Sequence, residues 1–207
     1  MIPQLIVLVF LGIAAFFVLV LGWFGALFTG ELPAFAEEFL TGVLRWETRV
    51  TGYLYFLTDE YPPYSLEEEP TYPIAVAVPP RVPMNRLAVL FRLILVVPAS
   101  VVASVVAAGL GVVSIASWAM ITFTGSMPRS LFEVTRAAVR YQTRLGGYYT
   151  LLTAEYPWGV LGDTEASVDQ DEAGSTSWSL RLSDQARTLM IVLIVIGAVV
   201  SVLQNSQ

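Results

Sequence analysis

Trp23 to Pro62 reads WFGALFTGELPAFAEEFLTGVLRWETRVTGYLYFLTDEYP, and Trp118 to Pro157 reads WAMITFTGSMPRSLFEVTRAAVRYQTRLGGYYTLLTAEYP. The second stretch is the first moved forward by 95 positions without a gap, and sixteen of the 40 positions are identical. The identities include Trp23/Trp118, Thr29-Gly30/Thr124-Gly125, Pro33/Pro128, Arg45/Arg140, Thr48-Arg49/Thr143-Arg144 and Glu60-Tyr61-Pro62/Glu155-Tyr156-Pro157. Self-similarity at a fixed offset marks a repeated structural unit. The rest of the chain is read outward from this pair.

Composition sets the class. The 207 residues are 56% hydrophobic and 14% charged, with a mean hydropathy of +0.67. A soluble domain carries about 25% charged residues, so long uncharged runs here point to a membrane. Cysteine, histidine and lysine are absent, and all eleven basic residues are Arg. No disulfide framework, thiolate or imidazole metal site can form. Ser–His and Cys–His nucleophilic pairs, lysine Schiff bases and P-loop chemistry are likewise excluded. No cofactor or metal is expected, and the net charge of −6 argues against nucleic acid as a partner.

Three blocks are apolar. Residues 2–29 carry no charge and are long enough to cross a hydrocarbon core of about 30 Å. Ala34-Phe35-Ala36 resembles a signal-peptidase site, but no Arg or Lys precedes the run, and its second half matches mid-chain Val113–Thr124. A retained helix is therefore expected. Residues 87–124 are too long for one untilted crossing, and Ala107-Ala108-Gly109-Leu110-Gly111 offers a turn, so a helical hairpin is expected, with a single re-entrant block as the alternative. Residues 189–203 form a last, short run.

Between these blocks lie two amphipathic helices. Phe35, Phe39, Val43, Trp46, Val50, Tyr53 and Leu57 fall at helical spacing, as do Leu131, Val134, Ala138, Tyr141, Leu145, Tyr148 and Leu152. These helices are expected at the membrane interface, with Trp23, Trp46, Tyr53, Tyr61, Trp118, Tyr141, Tyr148 and Tyr156 as anchors at headgroup level. Packing on another protein surface is the competing reading. Arg45/Arg49 and Arg140/Arg144 are i,i+4 pairs suited to lipid phosphates or a partner's carboxylates. They could equally pair with local acids such as Glu47 or Glu133. Arg92, the only charge inside an apolar block, is a third candidate for lipid or partner binding, although it can snorkel toward Arg86. No catalytic residues stand out: Glu60-Tyr61 and Glu155-Tyr156 are explained more simply by helix termination at Pro62 and Pro157.

Ile74–Val78 and Trp178–Leu182 alternate like short strands and could pair at the surface. The acidic segment 158–176 reads as an exposed, disordered loop. The expected organisation is a partial unit at 1–62, a complete unit at 63–157, the acidic loop at 158–176, and a second partial unit at 177–207. The partial units could complete each other within one chain or between subunits. Arginine placement, together with the duplication, puts both connecting segments in the cytoplasm and both termini outside. The expected fold is an all-α integral membrane protein of about four transmembrane helices, with two repeated interfacial helices and short surface strands.

An apolar helix begun by Pro, then Trp-x-x-x-x-Phe-Thr-Gly, an Arg-[Trp/Tyr]-x-Thr-Arg helix and Thr-x-Glu-Tyr-Pro form a composite pattern. Upstream of its second copy stand Arg86-Leu87, Phe91-Arg92-Leu93-Ile94-Leu95 and Pro98. The pattern resembles the bacterial membrane family known as domain of unknown function 4389, over most of the chain apart from the acidic loop. The resemblance implies a multi-pass bacterial membrane protein and supplies no activity. It also implies a His after the Pro of the apolar helix; here those positions are Gln4 and Ala99, so no imidazole role carries over. The expected function is a non-catalytic scaffold or accessory subunit of a membrane complex, contacting lipids, other subunits or a second copy of itself. A transporter of a lipid or small molecule is the alternative, and a lipid-modifying enzyme ranks third.

Overall fold

A computed structural model describes residues 1–78, 83–161 and 182–206. Six helices account for most of them: α1 (Ile2–Thr29), α2 (Ala34–Leu54), α3 (Arg86–Leu90), α4 (Arg92–Thr124), α5 (Arg129–Tyr149) and α6 (Asp184–Asn205). Among the described residues, α1, α4 and α6 are long and apolar enough to cross a membrane. That makes three such helices, not the four expected, because residues 92–124 form one 33-residue helix rather than a hairpin. Turning at Gly109 would strip several backbone hydrogen bonds in an apolar setting, whereas a continuous helix loses only the one that Pro98 cannot donate. Gly109 has another use. A Cβ there would collide with the Leu193 carbonyl of α6, and one on Gly197 would collide with the Val105 carbonyl of α4. The small residues let α4 and α6 approach backbone to backbone.

The duplication is visible in the local structure. α1 and α4 both end on a glycine in the left-handed conformation, Gly30 at φ 86° and Gly125 at φ 73°. The Thr before each donates its hydroxyl to the helix four residues back, Thr29 to Gly25 at 2.8 Å and Thr124 to Met120 at 2.7 Å. α2 and α5 also end alike. Leu57 N donates to Gly52 O and Leu152 N to Gly147 O, both at 2.9 Å, with Phe56 (φ 61°) and Leu151 (φ 65°) left-handed between. This is the Schellman closure with a bulky residue where glycine is usual. The turns carry an exchange. Leu57, from the first copy, packs on the cluster of Val134, Ala138, Val106 and Met190. Leu152, its repeat-mate, packs on Leu40, Leu44, Ala26 and Val89. Burial of these side chains offsets the left-handed strain.

Each apolar helix is followed by an amphipathic helix that runs back along it. Gly22 meets Ala36, and Trp46 Nε1 donates to Gln4 Oε1 at 2.7 Å, so α2 is antiparallel to α1. Arg92 binds Tyr148 O, and the Tyr141 hydroxyl donates to Ala99 O at 3.2 Å, so α5 is antiparallel to α4. α2 and α5 cross in opposite directions, with Leu44 against Gly146 and Thr48 Oγ1 3.1 Å from Thr143 Oγ1. Thr48 and Thr143 are the same residue of the two copies. An element touching its own copy marks a two-fold relation, here a pseudo-two-fold axis perpendicular to both helices. α1 and α6 run one way and α4 the other. The segments after α1 and after α4 therefore begin at opposite ends of the bundle, and the even number of crossings that placed both segments on one membrane face, with both termini outside, is lost.

Residues 74–78 are not a strand. Among the described residues no strand pairs with them, and the Arg45 Nε–H donates to Val76 O at 3.3 Å. Most of the second expected strand, 178–181, and the acidic segment from residue 162 lie outside the described residues. The C-terminal partial unit, as α6, packs on α4 and α5 and shares their core. Its start is tied to α5 by Glu133, whose carboxylate accepts from Ser183 Oγ at 2.6 Å, Ser183 N at 3.3 Å and Arg129 Nε at 3.1 Å. These donors, Ser183 first, hold the Glu133 carboxyl below its ordinary range. A depressed carboxyl stabilises the fold above its unfolded-state pKa and loses that contribution as pH falls through the folded value. The first turn of α6 is therefore expected to loosen as pH drops below the ordinary carboxylate range, seen as lower amide protection factors at Ala186 and Arg187. Glu133→Gln should show the low protection at neutral pH; equal protection factors at both pH values in the native protein would reject the tie.

Candidate functional site

The paired arginines lie on one side of the α2/α5 layer. Arg45 NH2 pairs with Glu68 at 3.1 Å. Arg49 is 2% exposed and donates to Ser65 O, and desolvation lowers its guanidinium pKa. Arg144 NH1 reaches Trp158 O at 3.4 Å, and Arg140 borders a cavity with Thr48, Thr143 and Ile74. Glu47 and Glu133 are not their partners. At 3.6 residues per turn, Glu47 stands about 160–200° round the helix from Arg45 and Arg49, and Glu133 binds Arg129. Arg92 does not snorkel. It is 4% exposed, donates from Nε to Tyr148 O at 2.9 Å and from NH2 to Thr153 O, and stacks 3.8 Å from the Tyr148 ring centroid.

The two copies, with their matching caps and their crossing at Thr48/Thr143, define the unit that comparison with known families can recognise. The model of the family described as domain of unknown function 4389 (DUF4389) matches residues 1–65 and 86–160. The chain belongs to this family. No curated protein and no solved structure matches it. The two DUF4389 segments coincide with the two antiparallel helix pairs, α1/α2 and α4/α5. The DUF4389 match thus describes the unit that the pseudo-two-fold repeats.

The aromatic positions of the DUF4389 units divide into two sets. Trp46, Tyr141 and Tyr148 are buried. The first two are repeat-mates, and each donates to the residue that follows the Pro of its apolar helix, Gln4 and Ala99. Burial pushes the Tyr141 phenol up to about 12. Gln4, itself buried, also donates from Nε2 to Pro62 O at 2.6 Å, closing the first unit. Tyr53 stacks edge-on with Tyr61 at 5.8 Å, and Tyr148 with Tyr156 at 5.4 Å. Trp23 is half-buried and donates to Val89 O at 3.0 Å, whereas Trp118 is 57% exposed.

On the side of the layer opposite Arg45 and Arg49, α1 and α4 stand apart, with no Cα of one within 8 Å of the other. The gap is a groove floored by α2 and α5. One cavity of about 530 Å³ is bordered by Gly12, Phe16, Glu47, Ser100, Gln142 and Thr150. A second of about 490 Å³ continues from it between α2, α4 and α5, bordered by Thr51, Leu54, Tyr55, Ser104 and Ala107 and by no described residue of α1, and shares Ser100, Gln142 and Leu145 with the first. Thr51, Leu54 and Tyr55 are the repeat-mates of Gly146, Tyr149 and Thr150 in the first cavity, so the pseudo-two-fold relates the two halves. Glu47 and Gln142, themselves repeat-mates, both border the first cavity. The sequence treated Glu47 as a neighbour of Arg45 and Arg49. Its angular position on the helix was the signal that it faces away.

Proposed function

We propose that this DUF4389 chain is an integral membrane component that acts without covalent chemistry, as a scaffold or accessory subunit that engages lipid and partner subunits. One observation carries the reading. α1, α4 and α6 expose large apolar side chains along their length, among them Phe10, Phe17, Ile94, Ile115, Phe123 and Val202 at 62–86%, while the opposite side carries Arg45 and Glu68. A surface so divided suits hydrocarbon on one side and water or a polar partner on the other. Fractionation of membranes tests it: the protein should resist extraction by alkaline carbonate and co-elute with lipid and partner proteins in mild detergent. Release into the carbonate supernatant would end the membrane reading, and a lipid-free, strictly monomeric protein the scaffold reading. Transport of a lipid or small molecule is the second reading, favoured by the pseudo-two-fold with a cavity at its repeat interface.

A further inference from the structure

The groove between α1 and α4 has an asymmetry that points to a ligand. Its lining is mostly apolar, and among the described residues Glu47 is the only carboxylate and no Arg borders either half. Glu47 has no hydrogen-bond or ion-pair partner among the described residues. Two hydroxyls are arranged as acceptors. Ser100 spends its hydroxyl proton on Val96 O at 2.7 Å and Thr150 its own on Gly146 O at 2.7 Å, so both turn only lone pairs outward. Gln142 borders the same cavity with an amide that can accept or donate. Glu47 is exposed to the open side of the groove, while the apolar side chains that border the cavity with it desolvate its carboxyl and raise it above its ordinary range. A group with several donors and no acceptor is the complement of such a site, and an ammonium has three.

We infer that the groove binds a cationic amphiphile, an ammonium group on an apolar chain, with Glu47 as its counter-ion. The apolar chain lies along Phe16 and Leu19 of α1, and the ammonium sits where Glu47, Gln142 and Ser100 converge. The combined space, about 530 Å³ and about 490 Å³ in the two halves, is in the range of small-molecule sites, about 300–1,000 Å³ each. Because α1 and α4 do not touch, such a ligand can enter sideways from hydrocarbon without unfolding either helix pair. The inference rests on the membrane reading above, since only there does an amphiphile reach the groove directly.

The test uses the full chain in phosphatidylcholine nanodiscs with radiolabelled dodecylammonium as probe. Saturable binding beyond that of empty nanodiscs is expected. Glu47→Gln, which keeps the shape of the side chain, should weaken binding at least about tenfold, the scale of one lost charge-assisted hydrogen bond. Gly12→Leu is an independent variant: nothing lies within 4 Å of a Cβ there, so it should fold normally and block the groove while leaving Glu47 intact. Dodecanoate should fail to displace the probe, and Gln142→Glu should retain or tighten binding. Unsaturable binding, equal affinity in Glu47→Gln, or displacement by dodecanoate as effective as by unlabelled probe would overturn the inference. A protein that resists carbonate yet shows any of these results leaves the membrane reading standing and removes only the ligand.

Discussion

Gly109→Leu is expected to push α6 off α4 and lower stability by about 1–3 kcal/mol or more, while Gly111→Leu, two residues along the same helix, should cost nothing. The two glycines sit in one apolar run, and each replacement gains up to about 1 kcal/mol of helix propensity. They differ only in what surrounds them. A Cβ on Gly109 runs into the backbone carbonyl of Leu193, which cannot swing aside as a side chain would, whereas one on Gly111 meets nothing within 4 Å. Gly197 faces the same interface from the other helix, against Val105 O and Gly109 N, so Gly197→Leu should reproduce the effect. Denaturant titration in mixed micelles reads the difference, and amide exchange along Ala186–Leu193 locates it. If Gly109→Leu and Gly111→Leu shift the midpoint equally, the close α4/α6 approach is not what holds the C-terminal helix.

That contrast explains what the sequence could and could not convey. The duplication, the amphipathic helices and the Thr-Gly ends were legible, but the helices stop at Leu54 and Tyr149 rather than at the Tyr-Pro pairs, eight residues before Pro62 and Pro157. A glycine in an apolar run is ambiguous, because it permits either a turn or a close approach, and its partner at Gly109 lies 84 positions away in α6. The stretch Ile74–Val78 failed for a related reason. Alternation suggests a strand, but pairing needs a partner far along the chain, and among the described residues Val76 O accepts from Arg45. Phe56 and Leu151 concealed their left-handed turns because neither is glycine. Thr48 and Thr143 were identical in the alignment, but identity at an offset does not reveal contact. Glu47 was legible in principle: helix geometry alone separates it from Arg45 and Arg49, and only the position of α1 and α4 shows what it faces.

Arg92→Leu should be the most damaging single change outside the glycine interface, at about 3 kcal/mol or more. Arg92 opens α4 and ties it to the far end of α5, donating to Tyr148 O at 2.9 Å and to Thr153 O, with its guanidinium over the Tyr148 ring. Each charge-assisted hydrogen bond contributes about 1.5–3 kcal/mol, and a buried carbonyl left without a donor costs about 1–3 kcal/mol. Tyr148 O retains the Leu151 amide at 3.3 Å, so the larger share falls on Thr153. The position also favours a cation, because the last carbonyls of α5 carry the negative end of the helix dipole. Arg92→Lys should recover part of the loss: an ammonium can reach one carbonyl but lacks the planar fork that serves two and stacks on the ring. The expected order of stability is wild type, then lysine, then leucine, with faster amide exchange through Leu151–Thr153 in the leucine variant. Because Leu151 and Leu152 carry the exchanged contact into the first unit, that variant should also loosen the packing around Leu40 and Leu44, more than 40 positions before Arg92 in the chain. An Arg that served chiefly to hold a lipid phosphate would behave differently. Its removal would release lipid while leaving the unfolding midpoint and the exchange at Thr153 unchanged, and that pair of results would reject the structural role argued for Arg92.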